Sequence, residues 1–296
     1  VTDVNDIDIT LDQGNAIARA LTFTTNTGGS NGADITLNNG STAISLAGFT
    51  TRGNLTLETT NAIALTGHTV NGNLSVTSAG AITQSAALTV SGTSSFTSTG
   101  TDANITLAED NAFSGDVTLT TAGTTGDVSI DNNTTALGIQ GTINGGLTVV
   151  NGAAITDSDT LTVTGASSFT IDTGSNHITL GTAALTGAIG VSTTGTSNFT
   201  LDNTTTAVNL GTVGVTGALS VTSGETITDS GVITVAGTSS FTTDVNDKDI
   251  ILNQSNAMSG NITVSTAGTG GDVTIDNGTT ALGIQGTING GLTVVN

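Results

Sequence analysis

Apolar and polar positions alternate along this chain in short words: Leu74-Ser-Val76, Ile105-Thr-Leu107, Val117-Thr-Leu119, Ile178-Thr-Leu180, Leu219-Ser-Val221 and Ile262-Thr-Val264. A period of two places the aliphatic side chains on one face of an extended strand and Thr or Ser on the other. β-branched residues favour that extended backbone. Most words end in Gly, Asn or Asp, residues that accept left-handed turn conformations. No 3.6-residue period is sustained, so helices should be few. The pattern predicts an all-β protein.

The words recur in order. Residues 279–296 (TTALGIQGTINGGLTVVN) repeat residues 134–151 letter for letter, 145 positions apart. Cutting after each hydrophobic-x-Gly divides the chain into super-repeats 73–146, 147–217 and 218–291, with irregular repeats over 1–72 and a partial repeat at 292–296. Such self-similarity is the mark of stacked equivalent units. No linker interrupts the series, so 1–296 reads as one continuous segment.

Lines of about 19 to 31 residues fit the rungs of a parallel β-solenoid better than hairpins, with strands stacked about 4.8 Å apart. Identical residues then lie over one another. A like charge on every rung would repel its neighbours, whereas Thr, Ser and Asn ladders can hydrogen-bond. At about 20 to 25 residues per rung the chain would make about 12 to 15 rungs. Val76, Leu107, Leu119, Ile130, Leu180, Val221, Leu252, Val264 and Ile275 should point inward. Phe96, Phe169 and Phe241 share one slot in SSFT-like words and should fill equivalent corners of the core.

Composition narrows the function. Three basic residues (Arg19, Arg52, Lys248) face 23 acidic ones, for a net charge of −20. Nucleic-acid binding needs many Lys and Arg contacts to phosphate, so it is excluded. No apolar run approaches the ~18 residues of a membrane-spanning helix. Cysteine and proline are absent, so no disulfide is available.

Candidate chemistry is sparse. His68 and His177 lie in unlike contexts without Cys or His partners and read as polar surface positions. Asp157/Asp159 and Glu225/Asp229 resemble the acid pairs of β-helical glycosidases, but they sit in repeated words and read as solvated turn acids. Asp3, Asp6 and Asp8, echoed by Asp244, Asp247 and Asp249, carry the ligand type for calcium without an EF-hand loop or calcium-binding nonapeptide. No other cofactor is indicated. Asn-x-Ser/Thr triplets begin at Asn39, Asn54, Asn73, Asn104, Asn132, Asn133, Asn198, Asn203, Asn261 and Asn277.

The lines NLSVTSAGAITQSAALTVSG and ALSVTSGETITDSGVITVAG resemble the β-strand-repeat regions of very large bacterial surface and secreted proteins, the filamentous-haemagglutinin-like and autotransporter-like adhesins. The resemblance implies a right-handed parallel β-helix (β-solenoid) built from tandem repeats and exported to the cell surface as a stalk or fibre. Neither a secretion domain nor a binding tip is visible, which favours the shaft. The expected function is therefore structural: a rod segment of an extracellular fibre, sheath or adhesin stalk, and not an enzyme. The alternatives are a repeat-based binding module for glycan, calcium or ice and, behind it, a β-helical polysaccharide-active enzyme. Leu292, Thr293, Val294, Val295 and Asn296 form the expected assembly edge. They would pair with a continuing chain or with a second copy, propagating a filament.

Overall fold

The computed structural model describes residues 7–23 and 32–295. The chain divides into two compact units, residues 1–146 and 147–296. Each is a β-solenoid of stacked parallel strands, and no helix occurs among the described residues.

In the N-terminal unit a first sheet carries the strands Ile35–Asn38, Leu55–Thr59, Leu74–Ser78, Ser94–Thr101, Val117–Ala122 and Leu137–Ile143. A second carries Ile44–Ser45, Ile63–Leu65, Ile82–Gln84, Ile105–Leu107 and Val128–Asp131. A short third sheet joins Thr50–Thr51, Thr69–Val70, Thr89–Val90 and Ala112–Phe113. Registers are direct: Leu37, Leu57, Val76, Phe96, Leu119 and Gly141 form one inward column. One rung takes 19 residues from Leu55 to Leu74 and 23 from Ser94 to Val117.

The C-terminal unit repeats the plan. Its first sheet runs through Ile155–Val163, Ile178–Leu180, Phe199–Asp202, Leu219–Ser223, Ser239–Asn246, Ile262–Ala267 and Ile284–Thr287. Its second runs through Leu147–Asn151, Ser167–Ile171, Ala188–Ser192, Val208–Val215, Ile227–Asp229, Ile250–Leu252, Val273–Asp276 and Leu292–Val295. On a third face Leu161 to Val163 pair with Ala183–Leu185, and Val213 to Val215 begin a column continued by Ile233–Val235 and Ala257–Met258.

The cores are aliphatic. All nine residues expected to point inward are buried, as are Phe96, Phe169 and Phe241. The three Phe do not occupy equivalent corners, however. Within the C-terminal unit Phe241 stacks between Val221 and Val264 in the first sheet, whereas Phe169 stacks between Val149 and Val191 in the second. The cause is arithmetic. Leu147, Ser167, Ile189 and Leu210 are successive rungs of the second sheet, and the next copy of the word, at Leu219, falls half a turn further on, in the first. One repeat is thus about three and a half turns. Leu292, a repeat later again, is back in the second sheet.

The SSF words leave a weak point. Ser94, Ser167 and Ser239 sit in aliphatic columns, between Leu74 and Val117, Leu147 and Ile189, and Leu219 and Ile262. Their buried hydroxyls have no hydrogen-bond partner. A desolvated, unpaired hydroxyl is destabilising. Each Ser→Ala change should therefore raise stability by about 1 kcal/mol in urea titration.

Candidate functional site

The polar groups of these solenoids bind neighbouring rungs. Along one corner of the N-terminal unit Asp34 Oδ1 accepts the Asn54 amide N–H (2.6 Å), Asn54 Oδ1 that of Asn73 (2.8 Å) and Asn73 Oδ1 that of Thr93 (2.9 Å). The C-terminal unit has its own staircase: His177 Nδ1 accepts from Asn198 N–H (3.1 Å) and Asn198 Oδ1 from Ala218 N–H (2.8 Å). His177 lies at the surface, as expected, and serves as one more acceptor in this row.

A second device is internal. Asn203 is fully buried and its Nδ2 donates to the carbonyls of Leu185 (3.0 Å), Thr206 (3.1 Å) and Ala207 (3.2 Å). Its Oδ1 accepts the Leu185 N–H at 2.8 Å. The carboxamide thus pairs with both backbone groups of Leu185, as a strand residue would, and caps the third-face strand Ala183–Leu185. Asn132 caps Phe113 in the same way, Asn277 caps Met258 and Asn39 caps Ile17. Sequence reasoning missed these plugs. The signal was present in the words LNNGSTA, IDNNTTA, LDNTTTA and IDNGTTA at 37–43, 130–136, 201–207 and 275–281, whose third residue is always Asn.

The residue after each plug turns left-handed: Gly40 (φ 55°), Asn133 (φ 52°), Thr204 (φ 40°) and Gly278 (φ 58°). Only Thr204 is β-branched there, and it is strained. Its hydroxyl bond to Ala183 O (3.2 Å) offsets part of that cost. T204G should still stabilise the chain by about 0.5–1 kcal/mol, read from the thermal midpoint.

The acidic candidates follow the same pattern. Asp3 and Asp6 lie outside the described residues. Asp8 Oδ1 accepts from Asp34 N–H (2.9 Å), and Asp249 Oδ1 from Asp272 N–H (2.8 Å). Asp247, itself at φ 60°, accepts the N–H groups of Thr269 and Gly270, both at 2.8 Å. Asp244 is exposed on the strand Ser239–Asn246. Among the described residues no three His, Cys, Asp or Glu side chains converge as a metal-binding group would. Asp102 repeats the Asp247 clasp on the amides of Thr124 and Thr125, which hold its carboxyl below the ordinary carboxylate range.

Three expectations need correction. His68 is not a surface residue: it is 2% exposed, its ring centroid lies 4.7 Å from that of Phe49 with the planes tilted by 55°, and burial lowers its pKa to about 4. Asp157 and Asp159 lie within the strand Ile155–Val163, not in a turn, because that strand runs through the corner between two faces. Asp157 binds the amides of Gly181 and Thr182 on the next rung. Asp229 is buried rather than solvated, and accepts from Asn253 N–H, Gln254 N–H and Asn256 Nδ2 (2.8 Å). Its pair mate Glu225 instead faces Lys248 at 2.5 Å.

In the C-terminal unit an open groove of about 280 Å³ is lined by Thr193, Thr216, Thr234 and Ser259 over Val215 and Val235, with no charged side chain. The expected edge residues Leu292, Thr293, Val294 and Val295 form a strand paired with Val273–Asp276, all four exposed. Asn296 lies outside the described residues.

Fold and hydrogen-bonding pattern together define a tandem-repeat β-solenoid protein. A family of repeats of unknown function (DUF5649) matches residues 52–120, 125–194 and 196–265, and the chain belongs to it. The family repeats start 73 and 71 residues apart, the period read from the sequence, and begin about one rung before the cuts at 73, 147 and 218. No curated protein and no solved structure matches the chain.

Proposed function

We propose that this chain is a structural shaft, a rod-forming segment of an extracellular or cell-surface fibre, sheath or stalk of the kind used by filamentous-haemagglutinin-like and autotransporter-like adhesins. The observation that carries this reading is where the polar chemistry goes. The Asn plugs, the Asp and Asn staircases and the Asp clasps all bind the backbone of an adjacent rung. Side chains that converge on a solvent-filled site would be arranged otherwise. High acidity without cysteine suits a soluble protein that needs no disulfide.

Self-association belongs to this proposal. Leu292, Val294 and Val295 are 49%, 44% and 52% exposed, so apolar surface borders the strand Leu292–Val295. A further rung, from a continuing chain or a second copy, would cover it. Electron microscopy and sedimentation of the 296-residue chain test the idea: end-joined filaments are expected, with L292K/V294K shortening them. A monodisperse monomer at all concentrations would favour the binding-module reading.

One observation supports that second reading. The outer face of the N-terminal unit's first sheet presents Ser75/Thr77, Ser95/Thr97 and Thr118/Thr120 on consecutive rungs in register. Such a hydroxyl lattice could meet glycan or ice.

A further inference from the structure

Asparagine followed by glycine is the least durable asparagine pair in a polypeptide, because no side chain crowds the glycine nitrogen as it attacks the preceding carboxamide. Among the described residues such pairs begin at Asn39, Asn71, Asn144, Asn151, Asn277 and Asn289. The fold sorts them. Asn71 and Asn289 are exposed and Asn144 is half-buried, whereas Asn39, Asn151 and Asn277 are fully buried. Asn39 and Asn277 are plugs. Asn277 Oδ1 accepts from Met258 N–H (2.9 Å) and its Nδ2 donates to the Met258 and Thr280 carbonyls (both 3.1 Å). Gly278 N–H, on the nitrogen that would attack, donates to Asp276 Oδ1 at 2.8 Å. Asn39 is held alike: its carboxamide binds both backbone groups of Ile17, and Gly40 N–H donates to Asn38 Oδ1 at 2.9 Å. In both plugs the nucleophile and the carbon it must reach are committed to other partners. The plugs Asn132 and Asn203 are followed instead by Asn133 and Thr204, whose side chains crowd the nitrogen.

We propose that Asn39, Asn151 and Asn277 are latent self-modification sites, which convert only in the unfolded chain and then bar its return to the fold. At Asn277 the Gly278 nitrogen bonds to the side-chain carbonyl carbon and gives up its proton. The bond from that carbon to Nδ2 breaks, and ammonia leaves with the electron pair and a proton. Water then opens the succinimide at either carbonyl, giving aspartate or isoaspartate. Either product undoes the plug. Aspartate lacks the Nδ2 donor and sets a charge against the Met258 and Thr280 carbonyls. Isoaspartate lengthens the main chain by a methylene group between two rungs in fixed register. The folded rungs thus protect the groups that join them, and a long excursion to the unfolded state becomes irreversible. Thr204 gains a second role: strained at φ 40°, it shields the amide of Asn203.

The test holds the full chain unfolded in urea at mildly alkaline pH for increasing times and dilutes it to refold. Chains that resist a brief pulse of non-specific protease are isolated, and amide-to-acid conversion is mapped by mass spectrometry in them and in the unseparated sample. A parallel sample is held folded. In the unseparated sample every Asn-Gly pair should convert. Resistant chains should carry acid at Asn71 and Asn289 yet keep the amide at Asn39, Asn151 and Asn277, and their yield should fall with holding time. The folded sample should keep those buried amides throughout. T204G, which relieves strain, should add Asn203 to the positions that convert in urea. Acid at Asn39, Asn151 or Asn277 as frequent in resistant chains as in the unseparated sample would overturn the proposal. So would conversion of these residues in the folded sample at the unfolded rate, or an Asn203 as durable in T204G as in wild type.

Discussion

Asn203→Asp should destabilise the C-terminal unit about as severely as Asn203→Ala, by about 3–5 kcal/mol. The carboxamide donates to three buried or half-buried carbonyls and accepts from Leu185 N–H. Ala removes the carboxamide from both backbone groups of Leu185 and from the Ala207 carbonyl, while the Thr206 carbonyl keeps the Ser223 hydroxyl (3.0 Å). Asp keeps the acceptor but has no donor, and it sets a charge against three carbonyl oxygens in a site with no cation among its hydrogen-bond partners. Urea denaturation of the full chain followed by circular dichroism would measure the loss. An N203D variant close to wild type would mean that the amide's donors contribute little and that the plug is a packing feature only.

Stability should also fall with acid above the range where carboxylates titrate. His68 is neutral in the fold, with Nδ1 buried and unpartnered and Nε2 3.5 Å from Thr66 Oγ1. Its folded pKa is about 4 and its ordinary value 6.5. Above pH 6.5 both states are neutral and the full stability is present. As pH drops below 6.5 the unfolded chain takes the proton first, so stability declines until about pH 4, by at most about 3 kcal/mol in total. The Asp102 contribution lies lower, lost only as pH falls through its depressed folded value. Comparing urea midpoints at about pH 7 and about pH 4.5 for wild type and H68Q separates the two. A wild-type midpoint unchanged over that interval would show that His68 is solvated in solution.

Much of the fold was legible because a period-two pattern with verbatim repeats leaves few architectures. The inward columns follow from alternation alone, which is why Val76, Leu119 and Val264 are buried as expected. What escaped depends on how words wind around the rungs. Phe169 and Phe241 occupy the same letters and opposite sheets, since a repeat closes on half a turn. The plugs escaped because Asn after Asn or Asp reads as a turn residue, and nothing local distinguishes Asn203, wholly inside, from Asn133, at the surface. Asp229 escaped for a similar reason: its partners Asn253 and Asn256 arrive from the following rung, 24 and 27 residues away.

The half-turn remainder gives copy number a parity. In a solenoid of this pitch, gain or loss of one repeat by recombination rotates every downstream surface to the other side, whereas a change of two restores it. A lineage that depends on one displayed side is therefore expected to gain and lose repeats in pairs. The longest verbatim identity in the sequence, 134–151 against 279–296, lies at the two-repeat spacing of 145 residues.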